Sequence, residues 1–376
     1  LSGLVCARHK GYHWNEPIVL GVLSVSRVLR LENLKAFYVL EAWGEKKVIQ
    51  AVNNVTLEIP SNEVYGIAGE SGCGKSTLLR TLFADIEPPL YVFSGRIHYR
   101  VDDHDIDVLS LKSAEKRKLR WTYISYIPQG SMSVFNPVKR IKSTFLDFLE
   151  DHVRGKVREN LLSLSVEHLR RVGLPPNVLD VYPHQLSGGM RQRVAIALAT
   201  LLRPTVILAD EPTTALDVVA QRAVLELLRE VHHELGNTIV LVTHDMGIHA
   251  QITTRMAIMY AGRVVEEGPT KAIFASPLHP YTQYLIQALP HIGEKKPKEG
   301  IPGSPPSLLS PPLGCPFHPR CVFAFSLCRE KVPSLEEFVP QHKVACFSRQ
   351  RGECVFEGEK MRRYESKNMD DYRERG

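Results

Sequence analysis

Uninterrupted apolar runs are the first regularity along the chain. TVILADEP (205–212) and NTIVLVTHD (237–245) are continuous apolar segments, each ending on an acid or a histidine. Strands without polar alternation are buried on both faces, the mark of a parallel sheet covered by helices. EVYGIAG (63–69) is a shorter run that ends in glycine, with the helical pattern of KSTLLRTLF behind it, and YISYIPQ (123–129) reads as another strand. Nearer the start, RVLRLENLKAFYV and AVNNVTLEI predict antiparallel strands joined by a turn at WGEKK. From about 130 to 185 helix formers dominate, and MAIMYAGRVVEEG (256–268) predicts a hairpin around Ala261-Gly262. Behind SPLHPYTQYLIQALP a Lys/Pro/Gly/Ser-rich stretch (293–314) leads into a cysteine-bearing region, and the final MRRYESKNMDDYRERG is charged. No internal repeat is visible.

Composition narrows the class. A chain of 376 residues, 44% hydrophobic and 23% charged, is long enough for two or three globular domains. A net charge of +6 suits an anionic ligand or a membrane surface and is too small to argue for nucleic acid. No apolar stretch is long enough to span a bilayer, and VAIALATLLRPTVILAD is broken at Arg203-Pro204. IVLGVLSVS (18–26) faintly resembles a signal-peptide core, but it runs into RVLRLENL without a small-residue cleavage site. It is read as a strand or N-terminal extension, and any work at a membrane is expected to pass through partners. Seven cysteines in this length do not make a disulfide scaffold. Cys6, Cys73 and Cys354 are isolated, whereas Cys315, Cys321, Cys328 and Cys346 are clustered, which points to a metal more than to disulfides.

Three segments carry chemistry. GESGCGKST (Gly69, Glu70, Ser71, Gly72, Cys73, Gly74, Lys75, Ser76, Thr77) fits G-x-x-x-x-G-K-[ST] between a buried strand and a helix. Its glycines free backbone N–H groups to converge on phosphate oxygens, and the helix adds its positive dipole end. Lys75 would reach the β- and γ-phosphates, and Ser76 would give a hydroxyl to Mg²⁺. In VILADEP, Asp210 at a strand tip is placed to hold Mg²⁺ through water, and Glu211 could polarise the attacking water. In HQLSGGM, Ser187 is a natural N-cap, and Gly188 and Gly189 leave amides uncovered beside Arg191 and Arg193. A chain with one phosphate loop has no obvious use for this second anion site, which points to a dimer.

In this order the motifs resemble those of ABC transporter ATP-binding subunits, over roughly residues 27–290. The resemblance implies that LSGGM is the signature that caps ATP held by a partner subunit, with Met190 where glutamine is usual. It implies that Gln129 of YIPQG touches Mg²⁺ and the membrane-subunit contact. Asp217 of TTALD would be the D-loop residue, with alanine where serine is common, and His244 of VTHD would sense the γ-phosphate. Tyr38 is favoured over Trp43 as the aromatic that stacks on adenine.

SPLHPYT, IPGSPPSLL and GCPFHPRC narrow the resemblance to the oligopeptide/dipeptide importer ATPases. In that branch the positions of Cys315, Cys321, Cys328 and Cys346 can hold a [4Fe–4S] cluster; zinc, or no metal, remains open. The expected fold is a P-loop α/β core (ABC domain, 27–275) with an antiparallel β subdomain and a helical subdomain over about 130–200. It is expected to be preceded by an N-terminal extension (1–26). A small Cys-rich C-terminal domain (276–355), separate from the ATP motifs, and a charged tail (356–376) would follow. The expected activity is Mg²⁺-dependent ATP hydrolysis that drives import of di- or oligopeptides, with oligosaccharide or nickel as alternatives. Implied partners are a second, non-identical ATPase, two transmembrane permeases and, indirectly, a solute-binding protein, at the cytoplasmic face of the membrane. A soluble repair or translation ATPase is less consistent, because such chains usually carry two heads or a coiled-coil insertion. A catalytically dead head is disfavoured by the presence of Lys75, Glu211 and His244.

Overall fold

A computed structural model describes residues 27–42, 44–130, 135–153, 158–289 and 301–350. The extensions read at 1–26 and 356–376, together with Trp43, Cys6 and Cys354, lie outside the described residues. Twelve strands are described: β1 (Arg27–Ala42), β2 (Glu45–Pro60), β3 (Val64–Ala68), β4 (Leu90–Val101), β5 (His104–Asp107), β6 (Ile124–Ile127), β7 (Val206–Asp210), β8 (Thr238–Val242), β9 (Arg255–Tyr260), β10 (Arg263–Pro269), β11 (Glu336–Val339) and β12 (His342–Val344). They form two sheets. β2-β1-β4-β5 is antiparallel, and β11-β12-β10-β9-β3-β8-β7-β6 is parallel from β9 to β6.

The apolar runs become the centre of the large sheet. β3, β7 and β8 are buried at every position. Because side chains alternate across a strand, each of these strands feeds two cores. Ile207, Ile239 and Leu241 face a core built with Phe145, Leu149, Leu161 and Leu169 from helices Ile141–His152 and Arg158–Arg171. Val194 and Val224, from helices Gly188–Thr200 and Val218–Leu235, complete that layer. Val206, Leu208, Val240 and Val242 face the other way, toward Leu29, Leu31, Val55 and Leu57 of the antiparallel sheet and Leu78, Leu79 and Leu82 of helix Lys75–Leu82. The small sheet is thereby pinned over the helix that follows the glycine loop.

The cysteine-bearing region does not stand apart. β12 pairs with β10, with Glu266 opposite Val344, so the C-terminal hairpin extends the large sheet. Cys315, Phe317 and Cys328 share one buried core with Ala68, Met256, Tyr260 and Tyr281. The proline-rich chain has too few apolar residues for an interior of its own, and it uses the outer face of β9 and β10 instead. A buried hydrogen-bond cluster fixes the join. His342 Nε2 is 2.7 Å from Glu266 Oε1, and the Glu266 carboxylate also accepts the backbone N–H groups of Leu278 and His279, each at 2.8 Å.

Candidate functional site

The glycine loop links β3 to helix Lys75–Leu82, and its shape depends on residues without a side chain. At Gly74 φ is 106°, and a Cβ there would sit 1.9 Å from the carbonyl oxygen of Ala51. At Gly69 φ is 150°, and a Cβ would meet the carbonyl oxygen of Met259 at 2.2 Å. No L side chain fits either position. Lys75 is buried and folded over the loop, with Nζ donating to the carbonyls of Gly69 (2.7 Å) and Glu70 (2.9 Å). The Cys73 thiol lies beside it, its pKa raised by burial. A cation held over a concave glycine loop at a helix N-terminus is suited to a polyphosphate.

Two carboxylates meet this loop from β7. Ser76 Oγ is 3.0 Å from Asp210 Oδ1, and the Tyr126 hydroxyl donates to Asp210 Oδ2 at 3.0 Å. Burial lifts the Asp210 carboxyl above its ordinary range, against the pull of these two bonds. A hydroxyl and a buried carboxylate in contact are hard oxygen donors of the kind Mg²⁺ takes, so Ser76 and Asp210 fit that ion. Burial also acts to raise Glu211, but hydrogen bonds from Thr214 and His244 outweigh it and hold the carboxyl below its ordinary range. Its oxygens face His244 Nδ1 (3.1 Å), Thr214 Oγ1 (2.8 Å) and Gln129 Nε2 (3.0 Å). The Glu211 backbone has φ of 45°, a conformation that non-glycine residues adopt rarely and that recurs at active sites.

Lys75, Ser76, Asp210, Glu211, Gln129 and His244 are thus brought together. Tyr38 stands next to them, its hydroxyl 3.3 Å from Thr77 Oγ1. Ser187 and Asp217 instead bond their own helices. Ser187 accepts the Met190 N–H at 3.3 Å at the start of the helix that begins with Gly188 and Gly189, both half-buried with Gly189 close to Ala220, and Asp217 accepts the Ala220 N–H at 2.8 Å. Thr214, Tyr126 and Tyr281, which complete the site, carry no sequence signal as strong as the loop. Thr214 lies inside the TTALD stretch and was the one of these most open to notice.

The four clustered cysteines are free of disulfides. Burial pushes the Cys315 and Cys321 thiols up to about 12, and each also feels Cys346 and Cys328 through space. The Cys315 N–H donates to the Cys328 carbonyl at 2.8 Å. Among the described residues, no group of three or more His, Cys, Asp or Glu side chains is placed to hold a single metal ion. Neither the expected [4Fe–4S] cluster nor the zinc alternative is therefore supported by a preformed metal site among the described residues.

Residues 52–214 match the family model for ABC transporters, and residues 265–328 match the model for the oligopeptide/dipeptide transporter C-terminal region. The dipeptide transport ATP-binding protein DppD of Caldanaerobacter subterraneus is 39% identical over 87% of this chain and 99% of its own length. The oligopeptide transport ATP-binding protein OppD of Salmonella typhimurium is 40% identical over 80% of this chain and 88% of its own. Among solved structures, a dimeric ATP-binding cassette in a post-hydrolysis state bound to ADP and Pi superposes with a TM-score of 0.55 at 29% identity. It covers 64% of this chain and 98% of that one. Among the described residues no helix is long and apolar enough to cross a membrane. These matches establish that the chain is an ATPase belonging to the ABC transporter ATP-binding proteins of the oligopeptide/dipeptide transporter family, an activity that the loop shaped for polyphosphate and the buried acid beside its serine fit.

Proposed function

We propose that this ATPase energises the import of di- and oligopeptides through two transmembrane permease subunits, from the cytoplasmic face of the membrane. An extracytoplasmic binding protein delivers the solute to those permeases. The names borne by the relatives in two separate matches support the peptide, and the family-specific C-terminal segment agrees with them.

The observation that carries the catalytic part is the Glu211 carboxylate held by His244, Gln129 and Thr214 next to the Ser76–Asp210 pair. Lys75 and the amides of residues 69–77 hold the phosphates, and Tyr38 stacks on the base. Ser76, Asp210 and Gln129 hold Mg²⁺, which when bound neutralises charge on the β- and γ-phosphates. Glu211, kept ionised by its neighbours, accepts a proton from the attacking water, and His244 orients Glu211 and senses the γ-phosphate. Ser187, Gly188, Gly189 and Asp217 act on nucleotide held by a second, homologous ATPase. The departures at Met190 and Ala215 support a non-identical one. For the cysteines we propose a structural [4Fe–4S] cluster. Its support is the resemblance of the Cys315, Cys321, Cys328 and Cys346 spacing to the positions that can hold one in the oligopeptide/dipeptide branch.

The deciding experiment is ATP hydrolysis by the chain assembled with its permeases and second ATPase in vesicles. A peptide-loaded binding protein should stimulate it. Stimulation by an oligosaccharide- or nickel-loaded binding protein instead would replace the solute, and hydrolysis indifferent to any permease would favour a non-transport ATPase.

A further inference from the structure

Arg320 lies in the CPFHPRC stretch, immediately before Cys321, yet its side chain turns to the phosphate loop. Its Nη1 donates to Glu70 Oε2 at 2.7 Å and its Nη2 to Glu70 Oε1 at 3.1 Å, a two-pronged pair with only 4% of the Arg320 side chain exposed. Nε donates to the Pro302 carbonyl at 2.7 Å, and Nη1 also reaches the Tyr260 hydroxyl at 3.3 Å. Glu70 is the second residue of the phosphate loop, and it is gripped at every polar group. Its N–H donates to the Tyr281 hydroxyl (2.7 Å), its carbonyl accepts Lys75 Nζ (2.9 Å), and its carboxylate holds Arg320. Tyr260 and Tyr281 pack on Phe317, with ring centroids 5.2 and 5.5 Å apart, in the core that contains Cys315 and Cys328. Between the thiols and Lys75 stand one arginine and one glutamate.

The sequence alone places the cysteines in a domain separate from the ATP motifs, so that disturbing them would leave ATP binding intact. The packing says otherwise. We propose that Arg320 is a positioning residue for the phosphate loop, and that order in the four-cysteine segment sets nucleotide affinity through the Arg320–Glu70 pair. The guanidinium fork matches a carboxylate in two places and fixes its direction, which an ammonium cannot do. A loop fixed in its binding shape loses less freedom when the phosphates arrive. The inference rests on residues 69–77 being the ATP loop.

The test uses the full chain in its assembled transporter. Arg320→Gln and Glu70→Gln should each raise KM for ATP roughly tenfold, the scale of one lost charge-assisted pair, with kcat little changed because Glu211 is untouched. Arg320→Lys should restore less than half of that loss. The double variant should be no worse than either single one, since both remove the same interaction. Cys328→Ser, with Arg320 in place, should raise KM in the same sense. A purely structural staple would loosen residues 301–350 to proteases and leave KM within about twofold, and that result overturns the proposal. Lys75→Ala separates the two readings: normal ATP binding there would sink the ATP loop itself, whereas lost binding there with an unchanged KM in Arg320→Gln sinks only the coupling.

Should the variants fail to fold, the wild-type chain answers alone. Coupling is reciprocal, so ATP must slow amide hydrogen exchange at Cys328 and Lys331, whose N–H groups are bonded to the carbonyls of Phe325 and Leu327. Exchange there that is indifferent to ATP overturns the proposal.

Discussion

His244 Nδ1 lies 3.1 Å from Glu211 Oε1, although 33 positions separate the two residues in the chain. The parallel pairing of β7 with β8, which sets Asp210 opposite Val242, carries both side chains to the same edge of the sheet. The Glu211 N–H donates to the Val242 carbonyl at 2.8 Å and locks that arrangement. Ligands of open α/β sheets bind beyond the carboxyl ends of the strands, and this pair stands there.

Glu211→Gln should therefore keep ATP binding and lose ~10²–10⁴ of the hydrolysis rate, the usual contribution of a general base. The variant should also accumulate as an ATP-bound dimer of ATPase subunits, visible by size exclusion. Hydrolysis within a few-fold of wild type would remove Glu211 from that role.

Ser76 and Asp210 predict a metal phenotype. Asp210→Asn keeps the shape but removes the charge and one of the two acceptor oxygens that Ser76 and Tyr126 use, so the Mg²⁺ concentration for half-maximal activity should rise by at least about tenfold. A magnesium titration of ATPase activity checks this. An unchanged requirement would place the ion elsewhere.

The cysteines predict colour. Prepared without oxygen, the chain should be brown and contain about four iron and four sulfide. Cys328→Ser should bleach it and expose the segment from about 300 onward to proteases, because a cluster would tie together the thiols of the core shared with β9 and β10. One equivalent of zinc without iron would keep a structural site and remove the cluster. No metal, with unchanged protease resistance, would remove both.

Acid should destabilise the join through His279. Burial lowers its pKa to about 3, from an ordinary value of 6.5, and its unprotonated Nδ1 accepts the Tyr281 N–H at 3.0 Å. The unfolded chain takes up this proton first, so the contribution of neutral His279 is complete above pH 6.5 and drains as pH falls toward 3. The slope is about 1.4 kcal/mol per pH unit. His279→Asn retains a helix-capping acceptor and removes the titration. Its melting temperature should fall less steeply between pH 6.5 and 4.5 than that of the wild type, and parallel curves would contradict the assignment.

Partner choice gives the last prediction. Ser187 and Asp217, for which we propose signature and D-loop roles toward a neighbouring ATPase, make their own side-chain bonds within their helices. With Met190 and Ala215 departing from the usual residues, the chain should be most active when mixed with a non-identical ATPase of the same transporter. A stable ATP-dependent homodimer with full activity would refute this.

Local pattern was enough to read the candidate site residues that the fold brings together and most of the large sheet. Lys75 and Ser76 follow a glycine loop that no other residue type can form, and Asp210, Glu211 and His244 sit at the ends of apolar runs that can only be buried strands. These signals are short-range: loop geometry and strand burial depend on neighbouring residues, so they survive in a linear text. Strands β4 and β5 were not legible, since their alternation is broken by polar residues and a glycine; β4 is a strand because β1 offers it an edge, and β5 because β4 offers the next one. Tyr126 and Tyr281 were invisible for a related reason: each acts by position against a residue far along the chain, Asp210 and Glu70. Arg320 is the sharpest case. Its motif was plain in the sequence, but only packing decides that a guanidinium beside Cys321 meets a carboxylate 250 positions earlier. A proline-rich segment that cannot bury itself must borrow the face of β9 and β10, and that borrowed core sets Arg320 against the phosphate loop.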